Sequence, residues 1–585
     1  MKGATRPSLR PKRWAVRKRM SLYELKSHPN LHPLVVQLLG NRGITGLADI
    51  ERFLAPDRFG EPHQDLADAD AAVKRILRAR DLGEKVAIHG DYDADGITGS
   101  VILFEEFRRI GINPVVHIPL RSQGYGISQE TVSDLVRQEV RLIVTVDCGV
   151  TAHSEIEFAN HQGIDVIVTD HHQVLERLPP ALAVIHPNRP GQEYRYEDLA
   201  GSGVAMMLVS ALRAETGASA PWDDPSVMEL VALGTVADVV RLTGDNRSLV
   251  ARGLEALRHT SRPGLLALCE TARIAPASID SSAIGFILAP RLNATGRLSD
   301  ARLSFELLAT GDESGSRESA QELEWLNRRR QELMNEATEK ALQEVAQLAE
   351  IPSAIVVSGD EYDAGIAGLV AARLVEHYYR PAIVIAINDG TGRGSARSVD
   401  GFDMAHAISE CGEVLSSHGG HAMAGGFSIK SELIEEFVQV FQNVAETHLA
   451  GHVLEECLDA EALVRLDLFE SETFDQIARL EPFGNGNPAP SFVAENLEVR
   501  SVRRVGREGG RHLLLNLHDG RRPWKAMWFG RGELETGIPP RVDLMFTFQR
   551  NTWNGLTELR LNVVDLRAAG YLNRHGSESI ANKRN

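Results

Sequence analysis

Between residues 85 and 190 the apolar positions fall in short β-rich runs: Val86 to Ile88, Leu142 to Val146, Val166 to Val168 and Ala183 to Ile185. Stretches with helical spacing, such as SVILFEEFRRI and SEIEFANHQ, lie between them. Strand-like runs alternating with helices predict a parallel sheet with crossover helices, within an α/β unit spanning 76–300. Over 301–350 the sequence turns charged and rich in Gln and Ala, with apolar residues at helical spacing, which predicts one long helix connecting two lobes. A second α/β unit follows over 351–454, with strand-like AIVVSGD and AIVIAIN around the helical GIAGLVAARLVEHYY, then two glycine-rich loops, GTGRGSARS and SHGGHAMAGG. From 455 to 570, short alternating strands punctuated by Gly and Pro predict a small β-barrel. A basic segment and lead-in (1–75) and a polar tail (571–585) complete the chain.

Composition adds limits. The 585 residues carry 63 Lys and Arg against 80 Asp and Glu, a net charge of −17 that argues against wholesale binding to a polyanion. No apolar run reaches the ~18 residues of a membrane helix, which excludes spanning by that route. The first twenty residues hold eight Lys or Arg and no acid, but no apolar segment follows to make a secretory signal. The basic N-terminus is expected to be a disordered, solubilising arm. The four cysteines form no CxxC pair, which excludes a disulfide scaffold or Cys-based zinc finger and fits the cytoplasm.

Chemistry concentrates where apolar runs end. The segments are His89-Gly90-Asp91-Tyr92-Asp93-Ala94-Asp95-Gly96, Val146-Asp147-Cys148-Gly149 and Thr169-Asp170-His171-His172; Asp238 follows a further apolar stretch in LVALGTVADVV. In an open parallel sheet the carboxyl ends of neighbouring strands share one crevice, so these groups can converge. So many carboxylates in one place would repel unless cations offset them. Mixed imidazole and carboxylate donors suit Mn²⁺, and an all-oxygen shell suits Mg²⁺. Two such ions about 4 Å apart, sharing a carboxylate, would serve an in-line phosphoryl displacement.

HGDYDADG, VDCG, TDHH and GTVADVV resemble the four successive motifs of the DHH phosphoesterases, in the form shown by single-strand-specific exonucleases. Arg241, just after the fourth motif, departs from the proline expected there. The resemblance implies that His89, Asp93 and Asp238 hold one ion, Asp95 and His171 the other, and that Asp147 bridges. Asp91, Asp170 and His172 would be supporting or substrate-facing groups. It further implies a metal-dependent exonuclease, with Mn²⁺ or Mg²⁺ as cofactor, that degrades single-stranded DNA from the 5′ end to mononucleotides in recombination and repair. Single-strand-binding protein and a RecQ-type helicase would be its partners, and the chain would work as a monomer. The alternative is a family member acting on a small phosphate compound: pyrophosphate, a cyclic dinucleotide or a short oligonucleotide.

The sequence also offers a substrate side. Arg393, Ser395 and Arg397 combine exposed backbone, guanidinium groups and a hydroxyl suited to a terminal phosphate, and Gly419, Gly420 and His421 would let backbone approach an anion. The resemblance implies that Ser395 and Arg397, with Arg121, grip the 5′ phosphate, with Arg291 and Arg297 at the entrance; Tyr125 could stack on a base. From Arg500 to Arg560 twelve basic residues face six acidic ones, a local balance of +6, among Trp524, Trp528, Trp553, Phe529, Phe546 and Phe548. Basic residues interleaved with aromatics describe a groove for a single strand, with Arg503, Arg504, Arg521, Arg522, Lys525 and Trp528 as candidate contacts. The resemblance implies an OB-fold here.

Overall fold

The computed structural model describes residues 12–55, 66–174, 177–190, 198–469, 471–506, 510–553 and 556–571. The extreme N-terminus and the polar tail after Tyr571 lie outside them. The chain forms two units, one built mainly from residues 57–454 with Gly484–Gly486, the other from residues 10–56, 455–483 and 487 onward.

In the first unit, five parallel strands run in the order Val115–His117, Lys85–Gly90, Val140–Val146, Asp165–Thr169 and Ala183–Ile185. The strands are buried on both faces, which explains their unbroken apolar runs. Lys85–Gly90 is followed to one side by Val115–His117 and to the other by Val140–Val146, so the strand order reverses beside it. A crevice opens at the carboxyl ends of such strands. Helix Ala94–Arg109 starts there, with Asp93 as its N-cap accepting from the Asp95 and Gly96 N–H groups.

Asp238 reaches the crevice differently from the other acids. Its apolar stretch forms the buried helix Pro225–Ala237, and Asp238 is the residue that caps the C-terminal end. A helix apolar all round has no period that separates it from a buried strand. The expected single connecting helix is also two: Arg302–Ala309, then Glu313–Ala346 after Asp312, whose carboxylate caps the second by accepting from the Ser314 and Gly315 N–H groups.

The sheet of the second lobe runs Ser417–His421, Ala424–Lys430, Thr391–Arg397, Ala382–Asn388 and Ile355–Gly359, antiparallel except for the last pair. The two glycine-rich segments, expected as loops, are therefore largely strands. Their glycines make room for packing: a Cβ on Gly394 would lie 2.2 Å from the Phe427 ring, and one on Gly392 would press on Ile385 and Ile429 at 2.9 Å.

The second unit is a barrel. Strands Ser491–Val505, His512–His518, Pro523–Trp528, Leu556–Ala568 and Arg541–Trp553 follow one another, and pairing of the first with the last closes the ring. Phe492, Leu515, Trp524, Trp528 and Phe546 fill its interior. Residues 12–55 belong to this unit rather than to a disordered arm. Strand Arg13–Val16 pairs in parallel with Cys457–Ala460, Trp14 donates its indole N–H to Asp565 at 2.8 Å, and Val35, Leu38, Leu39 and Ile50 enter the barrel core. Counting charges alone had hidden these apolar positions. Among the described residues no helix is long and apolar enough to cross a membrane.

Candidate metal centre and phosphate-facing surface

Three of the four sequence segments meet at the strand ends, and Asp238 joins them from its helix. Donor atoms of Asp91, Asp93 and Asp147 lie within 4.8 Å of one another; so do those of Asp95, His171 and Asp238, and those of Asp147, His171 and His172. Asp147 and His171 each belong to two of these groups. Asp238 sits with Asp95 and His171, 3.5 Å from His171 Nε2.

The local backbone is arranged to bring these groups close. Asp147 has φ +61, in the left-handed region that a non-glycine residue enters at a cost. Its N–H donates to Thr169 O at 2.9 Å, tying the second segment to the third. Gly201 is required by close approach, since a Cβ there would lie 2.6 Å from the Asp147 Cβ. The Gly201 and Ser202 N–H groups, at the start of helix Gly201–Thr216, donate to the two Asp95 oxygens at 2.5 and 2.9 Å. A helix N-terminus thus steadies a buried carboxylate. Gly234 leaves the space for it, because a Cβ there would lie 2.4 Å from Asp95 Oδ1.

Among the described residues, His89 Nε2, Asp91 Oδ1, Asp147 Oδ1 and His171 Nε2 in this crevice are buried without a hydrogen-bond partner. Buried polar groups are nearly always paired, and leaving one unpaired costs about 1–3 kcal/mol. His171 Nε2 lies 3.1 Å from Asp147 Oδ1 without a hydrogen bond between them. Asp91, Asp147 and His171 belong to the close donor groups of this crevice, and clustered lone pairs are what a cation satisfies, so the residues present fit divalent metal.

The protonation preferences agree. Burial, then the neighbouring acids Asp95, Asp93, Asp91 and Asp238, holds Asp147 well above the ordinary carboxylate range. The same two causes raise Asp91, take Asp95 to about 6 and take Asp238 to about 8. Burial lowers His89 to about 3, with help from His117, and His171 to about 4, with help from His172. These are carboxylates that resist ionising alone and imidazoles kept free to donate lone pairs.

Supporting groups surround the donors. Asp170 accepts from the Val150, His171 and His172 N–H groups and from His172 Nδ1 at 2.8 Å. Burial works against a charge on His172, but Asp170 outweighs it and raises the imidazole to about 9. Tyr125, expected to stack on a base, also places its hydroxyl 2.9 Å from both His172 Nδ1 and the Asp147 carbonyl. His117 was missed in the sequence. It pairs in register with His89, and the two Nδ1 atoms lie 3.0 Å apart, leaving His89 Nε2 as the free donor. The run Val115–His117 ends on a histidine as the recognised segments do, and that signal could have found it. Gly201 and Ser202 carried no comparable signal.

The residues expected to face a phosphate assemble on the sheet of the second lobe. Alternation along Thr391–Arg397 puts Arg393, Ser395 and Arg397 on one face and the buried Gly392, Gly394 and Ala396 on the other. Across the sheet Arg397 aligns with Ala424 and His421, and Ser395 with Gly426 and Gly419. These rows expose backbone between basic and hydroxyl groups; the exposed Gly420, at φ +150, completes the edge strand.

Arg297 and Arg121 join this surface. Burial and then the charges of Arg121, Arg330 and Arg397 lower the Arg297 guanidinium to about 10, and burial with Arg121 lowers Arg397. Arg297 donates to Gly365 O at 2.9 Å, and the Arg121 guanidinium lies 5.1 Å over the Tyr92 ring. Arg291 does not join them: it donates to Glu324 at 2.8 Å and to the Ile287 carbonyl, a structural pairing.

On the barrel, Trp528 is 5% exposed and packs in the core, so it is no stacking platform. Trp524 and Phe546 are likewise interior, whereas Phe529 is 51% exposed; the Trp553 side chain lies outside the described residues. Arg522 stacks on Trp524 at 4.3 Å and donates to the Leu466 and Phe469 carbonyls, which makes it a structural strap. Arg521 pairs with Asp467 and Arg504 with Glu535, while Arg503 and Lys525 are exposed.

Residues 85–235 match the DHH family N-terminal domain, 351–447 the DHHA1 domain, and 460–565 the RecJ OB domain. The chain is 33% identical over 562 residues to the single-stranded-DNA-specific exonuclease RecJ of Bacillus subtilis, covering 94% of this chain and 70% of that one. Against the Escherichia coli protein of the same name the identity is 32%, covering 91% and 92% of the two chains. The crystal structure of RecJ from Thermus thermophilus in complex with Mn²⁺ superimposes with a TM-score of 0.81 at 30% identity, covering 95% of this chain and 79% of that one.

Proposed function

The chain belongs to the RecJ exonucleases of the DHH family, and from that premise we propose that it hydrolyses single-stranded DNA from the 5′ end to mononucleotides with two divalent cations. The observation that carries the reading is the set of four buried, unpartnered donor atoms on His89, Asp91, Asp147 and His171. His89, Asp91, Asp93 and Asp147 would hold one ion, Asp95, His171, Asp238 and the shared Asp147 the other. Held by these residues, Mn²⁺ or Mg²⁺ would lower the pKa of water and offset the charge that develops on the phosphate.

The remaining chemistry is the chain's own. Ser395 and Arg397, with Arg121, Arg297 and His421, hold the terminal 5′ phosphate by charge-assisted hydrogen bonds. That grip sets the polarity, because it fixes which phosphodiester faces the crevice. Asp170 keeps a proton on His172 Nδ1, so that the imidazolium adds positive charge beside the reacting phosphate. Tyr125 orients that ring through its hydroxyl. The barrel, with Arg503, Lys525 and Phe529 on its surface, holds the following strand without reading its sequence. The small-phosphate alternative has no use for such a domain, and the match over 460–565 counts against it. The family role supports a place in recombination and repair in the cytoplasm, on strands supplied by a RecQ-type helicase and coated by single-strand-binding protein.

The test is incubation with Mn²⁺ or Mg²⁺ and oligonucleotides labelled at either end, single- and double-stranded, with pyrophosphate alongside. Early release of a 5′-labelled mononucleotide from the single strand is expected. Hydrolysis of pyrophosphate with intact oligonucleotides would overturn the reading.

A further inference from the structure

A second cluster of ligand-type side chains lies in the phosphate-facing lobe and takes no part in the chemistry above. His406 and Glu410 stand one turn apart on helix Met404–Glu410, and His448 comes from helix Ile434–Leu449. His406 Nε2 is 3.1 Å and His448 Nε2 is 2.8 Å from the same oxygen, Glu410 Oε1. The imidazoles stack, with centroids 5.6 Å apart and planes at 21°, so both present the same nitrogen to one point. One atom from each residue lies within 4.8 Å of the others. We propose that His406, Glu410 and His448 form a transition-metal site of the Zn²⁺ class, separate from the catalytic ions.

The donor set argues for the metal class. Two imidazole nitrogens and one carboxylate oxygen match the three-ligand sites of Zn²⁺, with water in the fourth position, and suit Mg²⁺ poorly. Tetrahedral bonds of about 2.0–2.1 Å separate neighbouring donors by roughly 3.3 Å, so the two nitrogen-to-oxygen spacings of 3.1 and 2.8 Å need to open only slightly. The two helices hold the pieces in place. Asp403 caps the first by accepting from the His406 N–H at 3.0 Å, and Phe402 lies against the His448 ring with centroids 6.0 Å apart. Side-chain exposure of 66%, 39% and 25% for His406, Glu410 and His448 leaves the site open to an ion from solvent. Cys411, although adjacent in sequence, is buried and directs its thiol at the Ala407 carbonyl, so it is not a donor.

The position gives the site a consequence. The Met404 N–H donates to the Ala422 carbonyl at 2.9 Å, in the turn between the two strands that carry His421 and Ala424. Gly425 lacks a side chain where Ile408 of the same helix packs, since a Cβ there would lie 2.6 Å from it. An ion joining the two helices would therefore brace the hairpin of the phosphate-facing sheet.

The test is equilibrium dialysis of the full-length chain against Zn²⁺ with Mn²⁺ in excess, for wild type, His406→Ala and His448→Gln. Each variant is expected to take up one fewer Zn²⁺ per chain and to keep Mn²⁺-dependent hydrolysis of single strands. Anomalous scattering at the zinc edge from soaked wild-type crystals should place a peak between the two helices. Equal uptake by all three proteins, or zinc confined to the Asp147 crevice, would overturn the proposal and leave the triad a hydrogen-bonded ion pair.

Discussion

The crevice around Asp147 and the arginine cluster of Arg121, Arg297 and Arg397 are two sites of opposite sign in one unit. In the first, burial and like charge push acids up, so that Asp238 stands at about 8. In the second, burial and like charge push a base down, with Arg297 at about 10. Neither arrangement serves stability, because like charges crowded out of water cost free energy until something neutralises them. The difference in sign says what each awaits. Cations would relieve the acids and, in the proposed function, a phosphate would relieve the arginines; a nuclease that grips an end while cutting beside it needs both.

The largest effect separates the two sites. Asp147→Ala should lower hydrolysis of single strands by about three orders of magnitude or more, as losses within a catalytic unit do. Its fold by circular dichroism should be unchanged, and binding of a 5′-phosphorylated oligonucleotide mostly retained. Near-normal turnover would contradict the shared-ligand role.

Arg397→Ala acts on the other site alone. Losing hydrogen bonds to a charged group, worth about 1.5–3 kcal/mol, should weaken use of 5′-phosphorylated ends roughly ten- to a hundredfold. Use of 5′-hydroxyl ends should change little, so an unaltered ratio between the two substrates would count against the pocket. Arg291→Ala, which breaks the pair with Glu324, should leave that ratio alone.

A change in pH sharpens the contrast from the acidic side. Asp238 at about 8, against an ordinary 3.8, keeps in the folded metal-free chain a proton that the unfolded chain has lost. The folded state then binds more protons across that window, so stability falls as pH rises through it. His89 at about 3 and His171 at about 4, against 6.5, act the other way: their contribution is lost as pH falls below 6.5. In calorimetry the metal-free chain should thus lose stability from about pH 6.5 toward 8.5. The rise in Tm on adding Mn²⁺ should grow over the same range, because the ions compete with those protons; a rise independent of pH would contradict this.

The smallest effect lies outside both sites. Arg503→Ala on the barrel surface should flatten the log–log salt dependence of single-strand binding by about 0.7, the share of one phosphate contact, without altering the 5′-phosphate preference. An unchanged slope would remove Arg503 from the strand's path.

These two sites also differ in how far the sequence disclosed them. The crevice was legible because acids and histidines at the ends of apolar runs in a parallel sheet must converge, whatever the loops do. Strand logic did not supply the approach of Asp238, which arrives at the end of the buried helix Pro225–Ala237. The arginine cluster was half legible. Arg297 and Arg291 looked alike in APRLNATGRLSDA, and only packing shows that one faces Arg397 while the other pairs with Glu324. The glycines of GTGRGSARS read as turns but serve close packing against Phe427 and Ile429, a distinction that lives in tertiary contact. Charge also misled at the N-terminus, where Trp14 and Val16 among the arginines build a strand.

In the proposed function Asp147 would link two ions in one crevice. Low-temperature electron paramagnetic resonance of the Mn²⁺-loaded protein tests it most directly, because exchange coupling needs two manganese ions joined by a common ligand. Wild type should show a coupled pair that Asp147→Ala loses; a coupled pair surviving in the variant, or only isolated Mn²⁺ in the wild type, would contradict the account.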